Sequence, residues 1–261
     1  GMEGAYGQAA MKTYFGEDCN SYSVRTFRDA MEAIEEGAAD YAVLPIENST
    51  AGAVNEVYDL LVEFENYIVG EVIIPITHTL AGLPGTQLSE LKRVYSKAEA
   101  LMQTTRFLEE HSAWQQISVA NTAIAAKKIL DDQDRTQAAV CSAYAAKVYG
   151  LEVLEDNIND ESGNCTRFII VTNQKVFLKG AKKISICFEV PHESGSLYHL
   201  LSHFIYNDLN MSKIESRPIE GRSWEYRFFV DFEGNLEEPG VKNALRGLRE
   251  ESRSLKILGN Y

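Results

Sequence analysis

The chain has few of the residues that usually announce a function. Its four cysteines (Cys19, Cys141, Cys165, Cys187) are scattered through 261 residues without a CxxC pair, which excludes a zinc knuckle and a disulfide framework and fits a reducing cytoplasm. No apolar run reaches membrane-spanning length, and nothing at the start reads as a signal peptide. Positive charge is in deficit: 25 Lys and Arg against 38 Asp and Glu give a formal net charge of −13. That balance argues against a general binder of nucleic acid or anionic membrane, since phosphate neutralisation needs clustered cations. It does not argue against a small anionic substrate, because its site depends on local donors. There is no GxGxxG leading a strand–helix crossover and no Walker-type lysine loop, so nucleotide cofactors are not indicated. "HLLSH" (His199–His203) places two histidines at i and i+4 without the glutamate of HExxH, and reads as a helix surface rather than a metal site. No Ser–His–Asp set can be assembled from spacing.

What is present is alternation. Through about the first 175 residues, strand-length apolar runs (Tyr41–Ile46, Ile68–Ile74, Arg93–Tyr95, Ile117–Ala120, Ala138–Val140, Arg167–Thr172) trade places with helical periodicity (Phe27–Glu36, Val54–Glu65, Glu99–Glu110, Ala123–Leu130, Ser142–Tyr149). This predicts an α/β architecture with a mainly parallel sheet. Thr26 and Asp29 form a capping pair ahead of the first of these helices, and Gly37 closes it. "TNQKVFLKGAKK" (Thr172–Lys183) is polar, carries four lysines and a glycine, and reads as a linker. Beyond it the order becomes βαββαβ: Lys183–Val190, Gly195–Leu209, Lys213–Ile219, Trp224–Phe232, Pro239–Glu250 and Leu255–Leu258. That is a ferredoxin-like split unit of about 80 residues.

In a parallel α/β sheet, ligands bind where strand ends turn into helices. The turns here are "GAYG" (Gly4–Gly7), "ENSTAG" (Glu47–Gly52), "YSKAEA" (Tyr95–Ala100), "ANTA" (Ala120–Ala123) and "CSAY" (Cys141–Tyr144). Most offer Ser, Thr or Asn with free N–H groups behind them, suited to a polyanionic small molecule. Helix capping accounts for Ser96, Thr122 and Ser142 taken singly. Only "ENSTAG" exceeds what one cap requires, because Asn48, Ser49 and Thr50 come together. In "GNCTRFIIV" (Gly163–Val171) a hydroxyl and a guanidinium directly precede an apolar strand, and an arginine at such a mouth usually finds a carboxylate.

"ADYAVLPIENSTAGAV" (Ala39–Val54), "NCTRF" (Asn164–Phe168) and "IESRP" (Ile214–Pro218), in this order and spacing, resemble prephenate dehydratase with a C-terminal ACT regulatory domain. The resemblance covers almost the whole chain. It implies a catalytic region of two α/β subdomains, like a periplasmic binding protein, over 1–178 (1–76 with 157–178, and 77–156), and an ACT domain over 182–261. It implies the conversion of prephenate to phenylpyruvate with loss of carbon dioxide and water, in L-phenylalanine biosynthesis. Aromatisation drives that reaction and no cofactor or metal is needed. Arogenate dehydratase is the alternative chemistry, and an inactive ACT-linked sensor of aromatic ligands the alternative class.

By the same resemblance Thr166 is the catalytic threonine, a donor that polarises the leaving oxygen or relays a proton to it, with Arg167 anchoring a carboxylate or bracing the loop and Phe168 packed behind. Asn48 and Ser49 would bind substrate, with Ser96, Gln103 and Thr122 on the opposite wall. Gly195, Ser196, Leu197, Asn210, Glu215, Ser216, Arg217 and Pro218 would form an interfacial L-phenylalanine pocket. The implied assembly is a homodimer or dimer of dimers through ACT domains, with a fused chorismate mutase expected outside this chain. Three turns depart from the family pattern: "GAYG" lacks two hydroxyls, "SKA" (Ser96–Ala98) stands for SHP, and "NTAIAA" (Asn121–Ala126) for STAEAA. Tyr198 adds bulk beside Gly195.

Overall fold

Thr26 begins a helix as its sequence requires. The hydroxyl accepts from Asp29 N and the Asp29 carboxylate accepts from Thr26 N, a reciprocal cap that starts the helix Phe27–Glu35. Met31 and Ile34 on its inner face are fully buried against Leu44, Ile46, Leu61 and Ile169, each such side chain contributing about 1.5–3 kcal/mol by leaving water. The computed structural model describes residues 2–261. They group into two units, one of Gly1–Arg25, Glu47–Gly52 and Val72–Phe168, the other of Thr26–Ile46, Ala53–Glu71 and Ile169–Tyr261.

The first unit is built on a five-stranded sheet, in the order Gln115–Ser118, Arg93–Ser96, Gln137–Cys141, Thr79–Gly82, Glu152–Glu155. Arg93–Ser96 runs parallel to both neighbours, and Thr79–Gly82 runs antiparallel to both of its own. The expected mainly parallel sheet is thus interrupted by one reversed strand. Four residues long and wholly buried, "TLAG" has no alternation that would mark it as a strand. Successive residues face opposite layers: Leu80, Ala138 and Val140 join Val94, Leu108 and Trp114, whereas Ala81, Ala139 and Cys141 join Ala125, Ala126 and Ile129. Both faces being covered, these strands carry continuous apolar runs.

The expected single helix Glu99–Glu110 is two, Ala98–Met102 and Thr105–Glu110. The Thr104 hydroxyl donates back to Ala100 O, while Asp160 accepts from the N–H groups of Thr105 and Arg106 and so caps the second piece from far along the chain. The strand expected at Ile117–Ala120 lies at Gln115–Ser118, in register with Arg93–Ser96.

In the second unit, Lys183–Glu189, Ser196–Ile205, Met211–Pro218, Tyr226–Glu233, Pro239–Glu251 and Ser254–Asn260 form the βαββαβ order. The four strands lie as Met211–Pro218, Tyr226–Glu233, Lys183–Glu189, Ser254–Asn260, each antiparallel to its neighbour, which is the ferredoxin-like arrangement. Phe188, Phe204, Phe232 and Leu248 fill the space beneath its helices. "HLLSH" is not simply a helix surface. His203 packs so closely over Gly247 that a Cβ there would fall 2.3 Å from the ring, letting the two helices meet. The sheet then continues through a parallel pairing of Gly259 with Ile68 into Tyr67–Pro75, Cys165–Thr172, Ala42–Asn48 and Gly52–Ala53. Gly259 is required, since a Cβ would sit 2.2 Å from Ile68 O.

The helix Asn55–Glu63 belongs to this unit and is gripped twice. The Arg217 guanidinium donates to both Asp59 oxygens (3.0 and 2.7 Å), and Lys256 Nζ donates to Leu61 O and Phe64 O at the helix end.

Candidate active site

The strand Ala42–Asn48 ends in a turn that Asn48 itself closes. Its Oδ1 accepts from Thr50 N (3.0 Å) and Ala51 N (2.8 Å), the usual way an asparagine folds the backbone just after it. The following helix has Val54 at its N-cap without a side-chain bond, so the polar run is no cap for that helix. It faces a second turn instead. Asn48 Nδ2 donates to Asn164 Oδ1 (2.8 Å), Thr166 Oγ1 (2.9 Å) and Cys165 O (3.1 Å). Ser49 N donates to Cys165 O, and Cys165 N donates to Ser49 Oγ. "ENST" and "NCTRF" are thereby zipped together inside the first unit.

The zipper extends. Asn164 Nδ2 donates to Gln103 Oε1 (3.0 Å), and the same oxygen lies 2.9 Å from His78 Nε2. Gln103 reaches this point because its helix breaks there. Thr166, 9 % exposed, accepts from Asn48, and its own proton has no acceptor among the described residues. Such a hydroxyl is a ready donor. Arg167, at the mouth of the strand, lies 3.4 Å from the Glu47 carboxylate, the partner its position predicts. Phe168 is buried one residue further on.

The sequence gives His78 no motif, and it marks Asn164 only as the first residue of "NCTRF", without a role of its own. Burial holds the His78 imidazole below its ordinary value, and the Gln103 contact opposes this only in part. A histidine depressed in this way adds stability in full above its unfolded value near 6.5, and loses it as the pH falls and the unfolded chain takes up the proton first. Urea unfolding at about pH 7.5 and 5.5 should show an acid-side loss that His78→Gln lacks. Equal pH dependence of the two proteins would refute this.

Other expected residues are differently placed. Ser96 has no exposed surface and gives its hydroxyl to Val140 O (2.6 Å); the helix after it has Lys97, not Ser96, at its N-cap, without a side-chain bond. Thr122 is not a cap either: Asn121 Oδ1 accepts from Ile124 N in that role. The Thr122 hydroxyl has no hydrogen-bond partner among the described residues. Ser142 does cap its helix, through Ala145 N. Cys141 and Cys187 are buried, which pushes their thiols up to about 12 and about 11, so neither supplies a thiolate.

Residues 1–176 match the family described as Prephenate dehydratase. The chain belongs to the prephenate dehydratase family. It is 39 % identical over 256 residues to "Bifunctional chorismate mutase/prephenate dehydratase" of Aquifex aeolicus, covering 97 % of this chain and 69 % of that one. It is 37 % identical to "Arogenate dehydratase/prephenate dehydratase 6, chloroplastic" of Arabidopsis thaliana, covering 100 % and 67 %. The crystal structure of prephenate dehydratase from Arthrobacter aurescens, in complex with L-Phe, superposes with a TM-score of 0.91 at 32 % identity, over 99 % of this chain and 87 % of that one. Membership in the prephenate dehydratase family makes the chain a lyase and confirms the α/β fold class.

In this member of the prephenate dehydratase family the resemblance also marked eight effector residues, all in the second unit. Gly195 precedes its helix with φ +83°, and with Ser196 and Leu197 it lines a cavity of about 440 Å³ whose far side is Trp224, Tyr226 and Phe228. The aromatic side was not foreseen. Asn210 instead donates to Glu233 Oε1. "IESRP" is split across the two faces of an edge strand. Ser216 and Pro218 pair with Phe228 and Tyr226, and so share the cavity's face, whereas Arg217 reaches Asp59 and Glu215 lies 3.6 Å from Lys213. Among the described residues no helix is long and apolar enough to cross a membrane.

Proposed function

We propose that this chain dehydrates and decarboxylates prephenate to phenylpyruvate at the Asn48–Thr166 site, under feedback control by L-phenylalanine. The observation that carries the proposal is the state of Thr166, whose hydroxyl accepts from Asn48 and keeps its own proton uncommitted. As carbon dioxide leaves, the electron pair of its C–C bond enters the ring and the C–O bond breaks. The departing hydroxyl takes up one proton and leaves as water, so no oxidant or reductant is needed. Donation from Thr166 stabilises charge growing on that oxygen, and the bond from Asn48 strengthens the donor. Gln103 Nε2, unpartnered among the described residues, and the Thr122 hydroxyl are donors for substrate carboxylates. Ser49 joins them at the turn, Arg167 with Glu47 braces the loop, Phe168 backs it, and Ser96 acts from within the sheet by holding its strand to Val140.

The catalytic region is assigned to 1–178, with subdomains 1–76 plus 157–178 and 77–156, and the regulatory ACT domain to 182–261. The effector site is the Gly195 cavity, completed by "IESRP" and Asn210 in a homodimer. The edge position of Met211–Pro218 and the exposed Tyr198, Ile214 and Trp224 support that assembly. Four unpaired cysteines fit a cytoplasmic setting.

Purified chain should form phenylpyruvate from prephenate faster than phenylalanine from arogenate. L-phenylalanine should weaken prephenate binding roughly 5- to 150-fold, the span of a typical coupling. Turnover of neither acid would sink the catalytic assignment. Turnover indifferent to L-phenylalanine would sink the regulatory one.

A further inference from the structure

His78 is 2 % exposed and sits in a passage held on several sides. Its N–H donates to Asn159 Oδ1 (2.7 Å), its carbonyl accepts from Ile158 N, and Ile76 N donates to Asn164 O. The Tyr6 ring meets the imidazole edge-on, with the hydroxyl donating to Thr77 O (2.8 Å) and lying 3.4 Å from His78 Nδ1. The ring therefore has one orientation, with Nε2 aimed at Gln103.

The direction of every hydrogen bond from this ring to Thr166 follows from two backbone groups. Thr50 N and Ala51 N can only donate, so Asn48 must turn its oxygen to them and its amide nitrogen to Asn164 and Thr166. Asn164 must then offer its oxygen to Asn48 and its nitrogen to Gln103. Gln103 accordingly shows its oxygen to both Asn164 and His78, and the atom facing that oxygen from the ring has to donate.

We infer that His78 is a positioning residue of this reaction: its Nε2–H locks Gln103 Oε1 inward, leaving the Gln103 amide nitrogen as a donor to substrate and keeping the amide chain to Thr166 in one polarity. The inference rests on the placement of Gln103 and Thr166 in the active site proposed above. Without the ring, Gln103 Oε1 keeps only Asn164. The long side chain then recovers rotamers in which its donors are misdirected, and geometry of this kind is what a reaction site is sensitive to.

Steady-state kinetics with prephenate on four variants test it. His78→Leu should lower kcat/KM about 10-fold or more, chiefly through KM, because the lost donor faces a carboxylate. His78→Gln, whose amide nitrogen can take the place of Nε2, should restore most of it. Gln103→Ala should lower kcat/KM alone, and adding His78→Leu to it should cost little more, since both substitutions remove one interaction. Thermal unfolding of each variant separates this from a fold defect. Wild-type kcat/KM in His78→Leu, a failure of His78→Gln to recover activity while folded, or fully additive losses in the double variant would overturn the inference. A silent Gln103→Ala would instead remove the placement of Gln103, and the inference with it.

Discussion

Thr166→Val should lower kcat by about 10²–10³-fold with KM nearly unchanged, the usual cost of deleting one donor aimed at a developing oxyanion. Valine keeps the volume and the β-branch that suit this strand position. Asn48 Nδ2 loses one acceptor but keeps Asn164 Oδ1 and Cys165 O. Stability should therefore fall only by about 0.5–1.5 kcal/mol, and circular dichroism should show an unchanged fold. Thr166→Ser should retain more turnover. A folded Thr166→Val protein with turnover within about twofold of wild type would mean that the leaving oxygen takes its proton elsewhere.

Asn48→Asp should be at least as damaging, for a reason that deletion to alanine would obscure. One carboxylate oxygen can still accept from Thr50 N and Ala51 N, so the turn survives. The other oxygen replaces the donor. It faces Asn164 Oδ1 and Cys165 O, which are acceptors, and it draws the Thr166 proton toward itself and away from substrate. Asn164 and then Gln103 would have to turn over to relieve the clash. We expect kcat/KM to fall roughly 10³-fold, alongside a stability loss of about 1–3 kcal/mol for acceptors left facing acceptors. Kinetics and urea unfolding on the same preparation check both. Wild-type kcat/KM in this variant would show that hydrogen-bond polarity is irrelevant at the site.

The sequence was informative where a property is local. The Thr26–Asp29 cap, the buried runs near Tyr41 and Arg167, the polar linker at Thr172 and the βαββαβ order all follow from neighbours a few residues apart. "ENST" and "NCTRF" could each be marked as unusual, but not as facing one another, because the bonds from Asn48 to Asn164 and Thr166 cross more than a hundred residues of chain. His78 in "ITHT" follows no period and belongs to no motif. Its contacts with Tyr6, Gln103, Ile158 and Asn159 are what give it weight. The helix break at Gln103 was hidden for the same reason, since its cap comes from Asp160. Ser96 shows the opposite case: a hydroxyl at a strand end looks available, but it is spent inside the sheet.

The pairing of Gly259 with Ile68 makes the last strand a cover for someone else's backbone. Without it Tyr67–Pro75 would be a sheet edge, with the backbone groups around Ile68 left bare and Ile68 and Val69 beside them, the kind of surface on which chains associate strand to strand. A substituent at Gly259 has no room beside Ile68 O, so a side chain there would lift the cover without touching any residue of either site. The strand Ser254–Asn260 therefore guards that edge against association, and damage to it is expected to surface first as aggregation, ahead of any change in catalysis.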